Sequence, residues 1–237
     1  MPLHPDLRGT GRCIVAIPAH NEEHSIGSLV AQCRMSTDEV WVVDDGSTDA
    51  TAENATKSGA RVLRHETNLG KGRAIRTALD AFLREESEYL LFLDGDGQHD
   101  PAVIPSFIKL ARSSGAGIIL GNRLYAPGNM PPIRQWTNYF MSWLISEMAG
   151  QEIADSQCGY RLLSRNFVRQ FKPTTDHFEL ESEMLIQAGR FGSEILSVPI
   201  PVIYRGSSSH IKPLRDTLRF ARMAWRYLGV KDAGKQR

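Results

Sequence analysis

Short apolar runs alternate with longer stretches of helical periodicity through the first 120 residues of the chain. Residues 13–17 (CIVAI) form a β-rich run, and helical spacing follows over about 23–34. Residues 40–43 read as the next strand. Residues 48–58 read as a helix, with Ser47 as its expected cap. A strand is expected at 60–64, a helix at 72–84, and a strand at 89–93 that stops abruptly at Asp94. The helix over 101–112 opens on proline, which suits a first helical position, and 117–120 is another strand. Continuous apolar strands separated by helices predict an α/β fold with a mostly parallel central sheet flanked by helices on both faces. The second half is less regular. It has a loop at 126–132, an aromatic helix near 133–148 and a strand near 195–203. No linker, low-complexity segment or internal repeat interrupts the chain.

Composition narrows the class. The 237 residues are 41% hydrophobic and 23% charged, which excludes a disordered chain, a collagen-like repeat and a disulfide scaffold. Cys13, Cys33 and Cys158 are odd in number and lack CxxC spacing, so a reduced, cytoplasmic setting is expected. Residues 1–12 have no apolar core of the signal-peptide type. The longest apolar run, 89–93, is far short of the roughly 20 residues of a spanning helix. The net charge of +1 gives no reason to expect a nucleic acid as partner. The charge is uneven, however. Residues 205–237 hold nine Lys/Arg against Asp216 and Asp232, a surplus of +7, which leaves −6 on residues 1–204. A basic tail on an acidic body suggests an anionic surface as neighbour.

In open α/β sheets ligands bind beyond the carboxyl ends of the strands. Strand one is followed by Pro18, Ala19, His20, Asn21, Glu22 and Glu23. Strand two is followed by Asp44, Asp45, Gly46 and Ser47, and the fourth by Asp94, Gly95, Asp96, Gly97 and Gln98. Carboxylates gathered at one edge repel each other unless they hold a cation or a donor. If the backbone after Asp94 stays extended, period two aims Asp94, Asp96 and Gln98 to one side, a site for Mg²⁺ or Mn²⁺. The plainer alternative is an Asp-Gly turn that ends a strand. Asp44 to Ser47 has a similar alternative, a turn and a helix cap. Asn68, Leu69, Gly70, Lys71 and Gly72 precede a helix, where amides and a lysine suit a phosphate. The GxxxxGK[ST] spacing of a Walker loop is missing.

Taken in order, IPAHNEE (17–23), VVDDGSTDAT (42–51), NLGKGRA (68–74) and LFLDGDGQHDP (91–101) resemble glycosyltransferase family 2, of the GT-A fold. The resemblance covers 12–205 as a catalytic domain and leaves 206–237 as a basic amphipathic tail. GNR (121–123), DSQCGYRLLSR (155–165) and FELESEMLIQAGRFG (178–192) look like the polyprenyl-phosphate branch, which includes dolichyl- and undecaprenyl-phosphate enzymes. The resemblance implies an inverting, metal-dependent transfer of a hexose from a UDP- or GDP-sugar to a polyprenyl phosphate, with a saccharide or lipid hydroxyl as the alternative acceptor. It implies that Pro18, His20, Glu22 and Asp44 hold the nucleoside and that Asp45 lies near the ribose or diphosphate. Lys71 and Gly95 join the donor site. Asp94 and Asp96 are the DxD pair on Mg²⁺ or Mn²⁺, with Gln98 as a third ligand. Arg123, Arg134 and Arg205 meet the acceptor phosphate, although 205–210 reads RGSSSH where relatives often have an RGxSK-like run.

A phosphate acceptor is already nucleophilic near neutral pH and needs no strong base. A hydroxyl acceptor needs one, and Asp155, Asp176, Glu181 and Glu183 are then the candidates. Two helices suggest the setting. In 214–228, Leu214, Leu218, Ala221, Trp225 and Leu228 share one face beside a stripe of Arg215, Arg219, Arg222 and Arg226. Packing on the domain is the first expectation, and a helix in a membrane interface is the second. Ile133, Trp136, Phe140, Trp143, Leu144 and Met148 form an apolar face expected to pack on the core. The same aromatics would serve a membrane surface or a homodimer. The expected place of action is the cytoplasm, peripheral on the membrane face.

Overall fold

The computed structural model describes residues 12–37, 39–128, 130–201 and 213–228, the last as helix with side chains at 219–227. The strands are β1 (Cys13–Ala19), β2 (Glu39–Asp44), β3 (Arg61–Arg64), β4 (Tyr89–Phe92), β5 (Ile118–Asn122), β6 (Arg161–Ser164) and β7 (Ile195–Pro199). They form one sheet in the order β3-β2-β1-β4-β6-β5-β7. All neighbours run parallel except β6, which is antiparallel to both β4 and β5. The mostly parallel sheet expected from the sequence is therefore present.

The helices are α1 (Ile26–Cys33), α2 (Thr51–Lys57), α3 (Lys71–Phe82), α4 (Ile104–Ser114), α5 (Pro132–Ala149), α6 (Arg165–Gln170), α7 (Glu179–Arg190) and α8 (Pro213–Leu228). Side chains alternate across a strand, so each central strand feeds two cores. Ile14 and Ala16 of β1 join Ala74, Phe82, Ile145, Met184 and Leu185 on the side of α3, α5 and α7. Val15 and Ile17 join Ile26, Val30, Ala55, Ile104 and Phe107 on the side of α1, α2 and α4. Among the described residues no helix is long and apolar enough to cross a membrane.

Several expectations need correction. Helix α1 starts at Ile26 rather than near Glu23, because 20–25 is tied into the site as a loop. Helix α2 starts at Thr51, its N-cap is Ala50, and Ser47 caps nothing. The helix from Pro101 opens as a 3-10 turn, Pro101–Val103, whose Ala102 amide donates to Asp100 Oδ1 at 2.9 Å. Strand β6 and helices α6 and α7 were hidden in the sequence. Helix α7 buries Ser182, Glu183 and Gln187 beside its apolar residues, and polar residues on a buried face blur the periodicity.

Core packing of the aromatic face of α5 is also corrected. Ile145, Met148 and Ala149 are buried, but Ile133, Trp136, Tyr139, Phe140 and Trp143 are exposed, Trp136 by 75%. In α8 the buried face is Met223 and Ala224, with Phe220 and Tyr227 packed beside them. Ala221 and Trp225, expected on the buried face, point outward together with Arg222 and Arg226. The side chains of Leu214, Arg215, Leu218 and Leu228 lie outside the described residues, as does Arg205.

Candidate active site

Strands β2, β1 and β4 are neighbours, so the segments after them meet at one edge of the sheet. Hydrogen bonds stitch these segments together. Asn21 adopts φ 56°, a left-handed conformation that asparagine tolerates. This lets its amide donate to Ser47 Oγ at 2.9 Å while its Oδ1 accepts from the Thr48 amide at 2.9 Å. The Glu22 amide donates to Thr51 Oγ1 at 2.7 Å, and the Ala50 amide donates to Glu23 Oε2 at 3.1 Å. Ser25 Oγ donates to Glu22 Oε2 at 3.0 Å and to the Gly95 carbonyl at 2.7 Å, which links the first segment to the third. A Cβ at Gly95 would stand 3.1 Å from the Pro18 carbonyl, so glycine lets the two segments approach closely.

Asp44 is fully buried. Its Oδ1 accepts from the Ser47 amide at 3.0 Å. Its Oδ2 faces Arg64 Nε at 3.0 Å, yet the angles make no hydrogen bond and this oxygen has no donor. A buried acceptor without a hydrogen-bond donor is costly, and the charge of Arg64 offsets part of that cost. His20 Nδ1 lies 2.9 Å from the Asp45 carbonyl. A carbonyl only accepts, so Nδ1 carries the proton and Nε2 is left as the acceptor, 3.4 Å from Asn21 Nδ2.

Asp45 has a different task from its neighbour. Its Oδ1 accepts from the Leu69 amide at 2.9 Å and its Oδ2 from the Gly70 amide at 2.7 Å. His65 Nδ1 is 2.7 Å from Oδ1, and His65 Nε2 meets Thr77 Oγ1 at 2.8 Å. Asp45 therefore shapes the 68–71 segment rather than standing open. Asp45→Ala removes a buried charge on two amides, and a loss of about 1–3 kcal/mol in urea denaturation is expected, with faster exchange at the Leu69 and Gly70 amides.

Gly70, at φ 95°, turns the chain into α3 and presents Lys71 to the site. Lys71 Nζ lies 2.7 Å from Asp94 Oδ1 and 3.1 Å from Glu181 Oε2. Glu181 Oε1 is 3.1 Å from Arg161 Nη2, a buried guanidinium that also donates to the Cys158 and Glu181 carbonyls at 2.7 and 3.0 Å. His99 Nε2 reaches Asp94 Oδ2 at 3.3 Å. Burial pushes the Asp94 carboxyl up, but Lys71 and His99 outweigh it and hold it well below the usual carboxylate range. Asp96 is displaced the other way, raised by burial and by the charge of Asp94.

The backbone does not stay extended after Asp94. It turns, with Gly97 at φ 71° and the Gln98 amide donating back to Asp96 Oδ1 at 3.0 Å. The period-two alignment of Asp94, Asp96 and Gln98 is therefore corrected. Among the described residues no three His, Cys, Asp or Glu side chains gather closely enough to hold a metal ion alone. The two carboxylates still fit Mg²⁺ or Mn²⁺. Both are hard oxygen donors, their mutual repulsion is relieved by a cation, and such ions keep positions for phosphate oxygens and water. A Cβ at Gly159 would stand 2.5 Å from Asp94 Oδ2, so the carboxylate is cradled by bare backbone.

On the acceptor side, Arg123 grips the buried Asp155, with Nε 2.8 Å from Oδ2 and Nη2 3.0 Å from Oδ1. Two of its five N–H donors are used there. Burial opposes the charge of Arg123, but Asp155 and neighbouring anions outweigh this and raise its pKa. Arg134 lies exposed on the first turn of α5. The base candidates are all committed. Asp155 holds Arg123, and Asp176 lies 3.3 Å from Arg73 and 2.6 Å from Arg76. Glu181 holds Lys71 and Arg161, and Glu183 is enclosed by Thr174, Thr175 and Tyr227. His65, His99, Arg64 and Arg161 were not singled out from the sequence. His99 and Arg161 lie within the stretches 91–101 and 155–165 but were given no role there, and all four enter through tertiary contact.

Comparison with known proteins agrees with this arrangement. Residues 14–171 match the family model "Glycosyl transferase family 2". The chain is 30% identical over 203 residues to a dolichyl-phosphate hexose transferase of Haloferax volcanii, covering 84% of this chain and 86% of that protein. It is 27% identical over 207 residues to an undecaprenyl-phosphate mannosyltransferase of Micrococcus luteus, covering 82% and 84%. Its fold matches the crystal structure of glucosyl-3-phosphoglycerate synthase from Mycobacterium tuberculosis in complex with Mn²⁺, UDP and phosphoglyceric acid, with TM-score 0.70 and 22% identity, over 97% of this chain and 82% of that one. That likeness concerns the GT-A fold. With the matched model spanning well over half of its length, the chain belongs to glycosyltransferase family 2 and is a glycosyltransferase.

Proposed function

We propose that this enzyme moves a hexose from a UDP- or GDP-sugar to a polyprenyl phosphate at a membrane surface, with inversion and with a divalent metal. The observation that carries the acceptor is the state of the carboxylates. Asp155, Asp176, Glu181 and Glu183 are each held by cations or hydrogen-bond donors, which suits an acceptor that brings its own negative oxygen. The relatives named for dolichyl- and undecaprenyl-phosphate support the same reading.

In this reading the donorless Asp44 Oδ2 accepts the imide N–H of the base, and His20, Pro18 and Glu22 border the nucleoside. Asp94 and Asp96 would hold Mg²⁺ or Mn²⁺, and the bound ion would supply Lewis acidity toward the diphosphate. Gln98 sits beside them through its own backbone bond to Asp96. Lys71, already charged and aimed at Asp94, offsets the charge that grows on the leaving phosphate. Asp45 and Gly95 hold the segments that frame the donor. Arg123, fixed by Asp155, turns its remaining N–H donors to the acceptor phosphate, and Arg134 and Arg205 assist. The acceptor oxygen then attacks the anomeric carbon from the face opposite the leaving group.

The exposed Trp136, Tyr139, Phe140 and Trp143 of α5 and the outward Arg222, Trp225 and Arg226 of α8 suit an interface of apolar lipid and anionic headgroups. Trp136→Ser with Phe140→Ser is expected to lower co-sedimentation with anionic vesicles by about tenfold, at unchanged melting temperature. The function is tested by transfer of radiolabelled sugar from UDP-glucose and GDP-mannose to a short polyprenyl phosphate, with and without Mn²⁺, beside Asp96→Asn. Metal-dependent product that vanishes in the variant is the expected result. Metal-dependent donor hydrolysis without product would move the acceptor to a hydroxyl.

A further inference from the structure

Beside the apolar packing of Met223 and Ala224, the tail helix α8 meets the body through a polar knot around Tyr227. Tyr227 Oη donates to Glu183 Oε1 at 2.8 Å and accepts from Gln187 Nε2 at 2.8 Å. The Arg190 guanidinium lies 4.7 Å from the centre of the Tyr227 ring and also donates to the Tyr227 carbonyl. Glu183 has no exposed surface, and among the described residues the donors to its carboxylate are all neutral. Besides Tyr227 they are the Thr174 amide at 3.0 Å and hydroxyl at 2.5 Å, the Thr175 amide at 3.1 Å and hydroxyl at 2.8 Å, and Gln187 at 3.2 Å. A buried carboxylate without a cation depends on every such donor.

The segment held by this carboxylate is the wall of the phosphate loop. A Cβ at Gly72 would stand 2.4 Å from the carbonyl oxygens of both Asp176 and His177, and one at Gly70 would stand 3.3 Å from His177 Nδ1. Asp176 is also 2.6 Å from Arg76 of α3. Gly70 and Gly72 flank Lys71, whose Nζ bridges Asp94 and Glu181. A continuous path of contacts thus runs from Tyr227 through Glu183 and residues 174–177 to the loop that aims Lys71.

We infer that Tyr227 and Glu183 are positioning residues for the donor diphosphate, and that the tail helix is a working part of the donor site. This rests on the reading of Lys71 as the contact of the diphosphate. Among the described residues the tail helix meets Glu183, Gln187 and Arg190, and the path from there leads to Gly70 and Gly72, so its effect is expected at the phosphate end of the donor. Burial and the neighbouring Glu183 push the Tyr227 hydroxyl up to about 12, so it remains a donor across the working pH range.

The test is Tyr227→Phe in the full chain, with Mn²⁺ present and nucleotide binding read by calorimetry for UDP against UMP and GDP against GMP. Diphosphate affinity is expected to fall about three- to tenfold, the worth of one hydrogen bond, with the monophosphate within about twofold of wild type. Equal weakening of both, or no change in either, overturns the inference. A second arm needs no ligand. Hydrogen exchange at the Thr174 and Thr175 amides and across 70–74 is expected to quicken while β1 and β2 stay protected, and unchanged protection at 70–74 also overturns it. If wild-type protein binds no nucleoside diphosphate, the donor reading fails, and the exchange arm still decides whether the tail holds the loop.

Discussion

Asp94→Asn is expected to lower sugar transfer by on the order of 10³-fold, at the upper end of what one electrostatic group contributes. The substitution removes three things together. It takes away the anionic charge offered to the cation, the ionic partner of Lys71 at 2.7 Å, and one of the two acceptor oxygens that face Lys71 and His99. An amide keeps the shape, so the fold survives and the loss is one of charge. Lys71 then has Glu181 alone and is drawn toward it. Two measurements check this. Turnover at saturating Mn²⁺ reports the chemical loss, and titration of Mn²⁺ by its paramagnetic resonance signal in the presence of UDP reports the metal. Near wild-type turnover in Asp94→Asn would remove Asp94 from the metal site.

Gly159→Ala is expected to damage the same carboxylate without touching any charged group. The added Cβ would stand 2.5 Å from Oδ2, 2.7 Å from Oδ1 and 2.9 Å from Cγ of Asp94. Real atoms do not approach so closely, so the carboxylate must turn aside. Moving a metal ligand through its surroundings typically lowers affinity 10- to 100-fold, and that loss of Mn²⁺ affinity is expected here. The added Cβ meets Asp94 before any other group, so nucleotide binding without metal is expected to stay within about twofold. Comparing the two variants separates position from charge: extra Mn²⁺ recovers activity in Gly159→Ala and not in Asp94→Asn. Wild-type metal affinity in Gly159→Ala would mean that Asp94 leaves this rotamer when the cation binds.

The acceptor assignment has a consistent electrostatic basis. Each acid that would serve as a base for a hydroxyl is already bound to donors, and freeing Glu181 or Asp155 would leave Arg161 or Arg123 unmatched. Arginine fixed by a buried carboxylate is preorganised for a phosphate, since its planar fork no longer has to be ordered on binding.

Much of this was legible in the sequence for identifiable reasons. Buried parallel strands must be apolar throughout, so β1, β2 and β4 stand out as runs, and their ends mark the site. His20, Asp44 and Asp94 stand at or just after the ends of such runs, and the resemblance to glycosyltransferase family 2 is what gave Pro18, His20, Asp44, Asp94 and Arg123 their expected roles. Periodicity failed where a helix buries polar groups, as α7 does with Glu183 and Gln187, and in β6, whose Arg-Leu-Leu-Ser holds only two apolar residues. It also failed in α8, where an amphipathic stripe has the right spacing but the sheet side takes Met223 and Ala224 and leaves Trp225 outside by 79%.

The sequence by itself determined the α/β class, the edge at which the site lies, and the acids and glycines that form it. These follow from local patterns, in which a residue's neighbours along the chain are enough. Only the tertiary structure decided what each of those acids is bound to. Asp44 keeps an oxygen without a donor while Asp45, one residue later, closes on the amides of Leu69 and Gly70. Lys71 meets Asp94 and Glu181 across the fold, and Tyr227 reaches Glu183 from 44 residues away. The strength of a charge depends on the partners that surround it in space, and no spacing along the chain encodes those partners.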